Sequence, residues 1–440
     1  MILKGWGNYP QLEAVLSAPD TEAALKQHLY KGDLIARGNG RSYGDSAVNR
    51  HLTLDMRRFN HILEFDEDKG VVTVEAGVLL ADIIEVFLPR GWFPPVTPGT
   101  KFVTIGGMTA SDVHGKNHHL EGAFSSFIDW IELLDADGNL KKCSRRQNKE
   151  LFNWTIGGMG LTGVILRVAF RLKPIETGWV QQRILRTQNL AQTMQVFEEN
   201  DASPYSVAWI DCARRGAKSG RSLVMLGRHA QKHELSETQR KTIFPKPRPQ
   251  RLRVPFTFPG FVLNKYTIQI FNEAYYRWAG RSGQSQNVKW DGYFYPLDSI
   301  GDWNKIYGRK GFAQFQCAIP IHSAAPALAE LLDTVSRSSQ GSFLSVLKRF
   351  GAQDNPFSFP LDGYTLTLDF PINNASIQLM EKLDAITLRH SGRFYLAKDS
   401  RMSADVFHAS DPRISKFVKA RVNMGAKDIF KSAQSERLKF

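Results

Sequence analysis

Three glycine-rich stretches have the composition of an anion cradle: GNGRSYG at 38–44, PGTKFVTIGGMTASDVHGKN at 98–117 and GGMGLTG at 157–163. Glycines let successive backbone N–H groups converge on an anion with no Cβ in the way, and Arg41 and Ser42 add side-chain donors. One such loop is an ordinary turn. Three of them between Gly38 and Gly163 predict an extended anionic ligand, such as a dinucleotide, held in a groove. The spacing is not that of a Rossmann turn. Gly38, Gly40 and Gly44 read GxGxxxG, no long amphipathic helix follows, and the nearest acid, Asp55, comes too early to take a ribose hydroxyl. No GKS or GKT follows either, so the P-loop fails as well.

HGKNHH, with His114 and His118 four apart, has the histidine spacing of a zinc helix but lacks its glutamate, and Gly115 weakens any helix there. The expectation is a polar loop and no metal. Gln314 and Gln316 lie two apart in GFAQFQCAIP and so share one face of a strand. Lys348 in SFLSVLKRF suits the same kind of polar ligand, whereas Lys398 in YLAKDSR, taken alone, reads as a surface lysine. No Ser-His-Asp order around a nucleophile elbow and no paired carboxylates in a glycine-bounded cleft are found.

The elements that must position these residues are legible in outline. KGVVTVEAG alternates with period two as a half-buried strand, and VLLADIIEVFLPRG has helical spacing closed by Pro89 and Gly91. SFIDWIELLDADGNLKKCS reads as two strands joined at Asp137-Gly138, and GVILRVAFRLKP as a strand stopped by Pro174. Beyond Pro174 aromatic residues become frequent. HSAAPALAELLDTVSRSS and SIQLMEKLDAITLRHSG read as amphipathic helices flanking a strand, YTLTLDFPI. The pattern is α+β, with boundaries near 176 and 393.

The 440 residues carry a net charge of +14, and 42% of them are hydrophobic. These values fit an ordinary globular chain of about two domains. Between Arg214 and Arg253 twelve Lys/Arg face only Glu234 and Glu237. Pro245, Pro247 and Pro249 keep that stretch from being a regular helix, so it reads as a basic surface loop suited to an acidic partner. The amino terminus has no signal-peptide pattern and no stretch approaches a membrane span. Three cysteines without CxxC spacing read as free thiols, and cytoplasm is the expected location.

RGNGRSYGD, TVEAG, PGT…TIGGM, GLTGVI and YLAKD, in that order, resemble the flavin domain of the vanillyl-alcohol-oxidase-type (PCMH-type) flavoproteins. SDVHGKNHH, NKY, FYPLD, GFAQFQCAIP, SFLSVLKRFG, LDFPI and YLAKDSR extend the likeness over nearly the whole chain. Over that length it is similar to the flavin subunits of decaprenylphosphoryl-β-D-ribose 2′-epimerases. The resemblance implies an α+β fold with a two-part FAD-binding domain, 1–176 plus 393–440, and a separate mixed-sheet substrate domain, 177–392. It implies oxidation of the 2′-hydroxyl of a polyprenyl-phosphoryl ribose to the ketone, with an NADH-dependent short-chain reductase as partner. The FAD contacts it implies are Arg37, Gly38, Asn39, Gly40, Arg41, Ser42, Tyr43, Gly44 and Asp45 in the first stretch. The second stretch supplies Gly99, Thr100, Thr104, Gly106, Gly107, His114, Gly115, Lys116 and Asn117, and the later chain Gly160, Ile165 and Tyr395. Lys398 holds the reacting hydroxyl and accepts its proton, with Tyr43 and His114 beside it; Gln314, Gln316, Lys348, Thr365, Thr367 and Lys116 face the substrate.

Two departures carry expectations of their own. Arg41 stands where many of the wider family carry a histidine tethered to the flavin, which implies dissociable, non-covalent FAD. Thr367 stands where mycobacterial members place a cysteine attacked by covalent inhibitors, which implies weak inhibition here. A lipid substrate gives the basic region 214–261 a possible role on anionic headgroups, with Phe256, Phe258 and Phe261 at the interface. Two rival readings remain: a soluble sugar-lactone or alditol oxidase, and a nucleic-acid-binding protein, which leaves the glycine loops unexplained.

Overall fold

The structure is a computed structural model that describes residues 1–249, 252–258, 265–279, 283–338, 340–342 and 344–440. A small parallel sheet comes first, ordered Leu16–Ser17, Leu52–Asp55, Leu34–Arg37. The first glycine loop leaves its edge directly after Arg37. A second, antiparallel sheet runs in the order Leu140–Ser144, Ile128–Leu134, Val164–Arg171, Val71–Glu75, Ile62–Asp66. The helix Leu80–Phe87 packs on it because Leu80, Ile83, Ile84 and Phe87 fall on one face and are all buried. It ends in a short 3-10 turn at Gly91, whose φ of +82° suits only a residue without a Cβ.

A third sheet has eight antiparallel strands drawn from Trp179–Phe394. Its order is Ser285–Lys289, Trp179–Thr187, Ser222–His229, Tyr205–Ile210, Ser345–Phe350, Gly363–Pro371, Phe312–Pro320, Arg393–Phe394. The helices Ile321–Arg337 and Asn374–Arg389 cover one face through Leu328, Leu331, Leu332, Leu379 and Leu383. The opposite face, at Gln314, Gln316, Lys348 and Thr367, looks into a cleft. The strand and helix expectations above coincide with these elements. The three cysteines are free and buried.

The end of the chain returns to its beginning. Leu34 donates its N–H to Ile429 O at 2.8 Å and accepts from Lys431 at 2.9 Å, so the tail adds along the parallel sheet. Buried Arg421 donates to the carbonyls of Leu161 at 3.1 Å, Phe430 at 2.6 Å and Phe440, closing three segments on one guanidinium. Arg421→Leu strands those carbonyls in an apolar interior. It should cost about 3 kcal/mol of stability, read as a lower urea midpoint at unchanged slope.

Candidate active site

A cleft of about 510 Å³ lies between the glycine loops and the open face of the eight-stranded sheet, within the range of cofactor pockets. The first loop is fixed by backbone bonds on both sides. Trp6 N–H donates to Ser42 O at 2.8 Å, and Tyr43 N–H to Ala397 O at 2.9 Å. The second bond places the turn carrying Lys398 against Tyr43, and the Lys398 ammonium sits 3.8 Å above the Tyr43 ring. Residues 297–303 roof the cleft, with Arg253 bonded to Asp302 at 2.7 Å and the Lys101 N–H donating to Asp298 at 2.9 Å.

The walls fit an extended anionic cofactor. Gly40 has φ +63°, and a Cβ on Gly38 would collide with Thr104 Oγ1, so the loop must be glycine to run this close to its neighbour. Gly99 faces open space, and Gly106 and Gly107 open the short helix Ile105–Ala110 beside it. Arg41 lies flat on Trp6 at 4.2 Å with its Nε buried and unpartnered, and burial lowers its pKa. A guanidinium with a free Nε beside glycine N–H groups suits a pyrophosphate. Gly38, Asn39, Gly40, Arg41, Ser42, Tyr43, Gly99, Thr100, Thr104, Gly106, Gly107, His114, Gly160, Ile165 and Tyr395 all line the cleft.

Other expected contacts lie elsewhere. Arg37 lies against Gly40 and donates to Lys4 O at 2.7 Å and Ala47 O at 3.2 Å. Gly44 is packed on the backbone of Asp399, and Asp45 is consumed by Arg437 at 2.8 and 3.0 Å. Gly115 is wedged against Thr97, and Asn117 donates to Pro95 O at 2.8 Å. Lys116 donates to the Tyr293 carbonyl and rests on that ring at 4.2 Å, which keeps it off the cleft wall. Thr365 sits beneath Gln316, accepting from its Nε2 at 3.2 Å, rather than facing a ligand.

Gln314, Gln316, Lys348, Thr367 and Lys398 line the substrate side. Burial lowers Lys116 to about 7 and Lys348 to about 8, and it lowers Lys398 against the opposing pull of Asp369. His114 is held neutral, its pKa well below the usual value because of burial and then Lys348. Its Nε2 meets Gln316 Nε2 at 3.1 Å. Burial keeps the Tyr43 phenol neutral. His118 and His119 are bonded to Gln353 and to the Ser203 carbonyl, and His114 and His118 both pack on the Phe350 ring. Trp6, Asp298, Trp303 and Arg253 complete the walls. Asp298 ends the FYPLD stretch; no local motif marks Trp6, Trp303 or Arg253, because only tertiary folding brings residue 6 and residues 253–303 to the glycine loops.

Residues 17–144 match the FAD binding domain family. Decaprenylphosphoryl-β-D-ribose oxidase of Mycolicibacterium smegmatis is 36% identical over 99% of this chain and 97% of its own length. The chain belongs to the decaprenylphosphoryl-β-D-ribose oxidase family. It is an FAD-dependent oxidoreductase. An uncharacterised protein of Streptomyces coelicolor is 30% identical over 82% of the chain and 100% of its own length. Mouse L-gulonolactone oxidase is 32% identical over only 38% of the chain and 37% of its own length.

Within this oxidase family fold, Arg41 offers no imidazole for a covalent flavin bond. Acid precipitation should leave all the flavin in the supernatant. Arg41→Met should weaken FAD binding at least about tenfold, measured by flavin fluorescence.

Proposed function

We propose that this protein uses FAD to oxidise the 2′-hydroxyl of a polyprenyl-phosphoryl-β-D-ribose to the 2′-ketone, the first half of epimerisation to the arabinose form. The observation that carries this reading is the placement of Lys398 on Tyr43, between the glycine loops and the Gln314–Gln316–Lys348 face. Bound FAD supplies the hydride acceptor. Gln314 and Gln316 hold the sugar hydroxyls, and Lys348, a cation on the cleft wall, takes the phosphodiester. Lys398 accepts the hydroxyl proton as the C–H bond breaks, which its lowered pKa favours. Tyr43 and neutral His114 enclose the sugar without placing a further charge beside it. Return of the ketone to an alcohol requires a second hydride donor, an NADH-dependent short-chain reductase.

Anaerobic titration with a short-chain polyprenyl-phosphoryl ribose, beside xylitol and a sugar lactone, tests the reading. Bleaching of the flavin band by the phospholipid sugar alone is expected; bleaching only by the polyol or lactone overturns it. The base must be unprotonated, so the bleaching rate should rise with pH through the depressed pKa of Lys398. Lys398→Met should remove that rise and slow bleaching about 10²- to 10⁴-fold, with FAD still bound.

A lipid substrate also calls for access to a bilayer, and among the described residues no helix is long and apolar enough to cross one. Docking on an anionic membrane surface is supported by exposed Leu252 and Phe256 and by the helix Lys265–Trp278, where Ile270 and Trp278 are 71% and 89% exposed. Phe256 and Phe258 pack together at 5.4 Å; Arg251 and Phe261 lie outside the described residues. Arg253 bonds Asp302 on the cleft roof while its side chain stays largely exposed. Ile270→Asp with Trp278→Asp should reduce co-sedimentation with anionic vesicles at low salt; unchanged sedimentation would exclude this helix.

A further inference from the structure

The strand Gly363–Pro371 contributes one buried group for which the reaction above has no role. Asp369 stands opposite Gln314 in register and is fully buried. Its own N–H is held by Ser342 Oγ at 2.9 Å, which fixes the backbone. Gln314 Nε2 donates to Asp369 Oδ1, and Tyr307 Oη lies 3.4 Å from Oδ2. No Lys or Arg reaches ion-pair distance of Asp369 among the described residues. The charged and titratable groups facing it are Lys398 from the late turn, Tyr43 from the first glycine loop and Tyr307 from the 3-10 turn Trp303–Tyr307. Lys348, on the neighbouring strand, acts on Lys398.

Burial raises the Asp369 pKa to about 7, against the pull of Gln314 and Lys398; in its ionised form it accepts and cannot donate, and so selects the nitrogen end of the Gln314 amide, the end that meets it in the structure. The oxygen end, Oε1, is not among the sealed buried atoms, and Gln314 lines the cleft beside Tyr43, whose phenol also bonds its side chain. Gln316 is held less strictly: its Nε2 lies 3.2 Å from Thr365 Oγ1 and 3.1 Å from His114 Nε2, and both of those atoms can donate or accept. The carbonyl oxygen of Gln314 is therefore the one whose direction the fold selects. An amide oxygen accepts from hydroxyl donors and repels phosphate oxygens.

We propose that Asp369 is a positioning residue that locks the Gln314 amide with its oxygen towards the cleft, so that this position reads a free hydroxyl of the sugar. This inference rests on the proposed ribosyl substrate. The hydroxyl read is not the one oxidised, which leaves the 3- or the 5-hydroxyl. In Asp369→Asn the lock is lost, since an amide offers Gln314 a donor as readily as an acceptor.

The test uses FAD-loaded enzyme and ligands that cannot be oxidised at C2. Polyprenyl-phosphoryl 2-deoxyribose and its 2,3-dideoxy and 2,5-dideoxy counterparts are titrated, with Kd read from perturbation of the flavin spectrum. Wild type should bind one of the dideoxy ligands at least about tenfold more weakly than the 2-deoxy ligand, because the polar group that read the hydroxyl is left unpaired. Asp369→Asn should bring that ratio close to one, with FAD affinity unchanged. Gln314→Met should do the same if Asp369→Asn fails to fold, and combining the two should add nothing. The proposal is overturned if both variants keep the wild-type ratio, or if Asp369→Asn weakens all three ligands equally. Failure of the substrate reading is separate: it shows as a wild type whose flavin is not bleached by the ribosyl substrate.

Discussion

One backbone hydrogen bond, Tyr43 N–H to Ala397 O at 2.9 Å, joins the two ends of the chain at the site. Through it the first glycine loop and the turn bearing Lys398 become one wall. The loop has no regular structure of its own and takes its shape from this bond, from Trp6 on its other side and from the absence of side chains at Gly38 and Gly40. The position of Lys398 is thus set by the same contact that shapes the cofactor cradle. A shift in either would move both, and proximity effects of this kind are steep in distance.

The electrostatics of the cleft follow a division of labour between its walls. Arg41 stands on the glycine-loop side, stacked on Trp6 and without a partner at Nε. Lys348 and Lys398 stand on the sheet side, desolvated, with Asp369 as the buried anion between Gln314 and Lys398. Desolvated cations that make no ion pair among the described residues are costly unless a ligand supplies negative charge. A phosphorylated cofactor on one wall and a phosphorylated substrate on the other meet that need, so binding each relieves a cost set by folding.

The sequence made the cofactor side legible because a glycine loop is local chemistry: spacing alone excluded the Rossmann and P-loop alternatives. The strands and helices that carry Gln314, Gln316 and Lys348 were also readable from periodicity. What spacing could not tell was which polar residues already have partners. Arg37, Asp45, Asn117 and Lys116 sit in the right stretches, yet each is taken by a carbonyl or an ion pair from another part of the chain. Asp369 was overlooked for the converse reason. In LDFPI it looks like an ordinary strand residue, and its meaning comes only from the register that sets it opposite Gln314.

The return of the tail to the parallel sheet bears on how the molecule comes into being. Leu34 is flanked by Ile429 and Lys431, and Asp45 is paired with Arg437. On the ribosome the early residues must therefore wait, with one edge of their sheet bare, while the whole eight-stranded sheet is made. Cofactor capture in its final geometry is a post-translational event, and an aborted chain ending before Arg421 would expose the apolar floor around Leu34, Ile35 and Leu54.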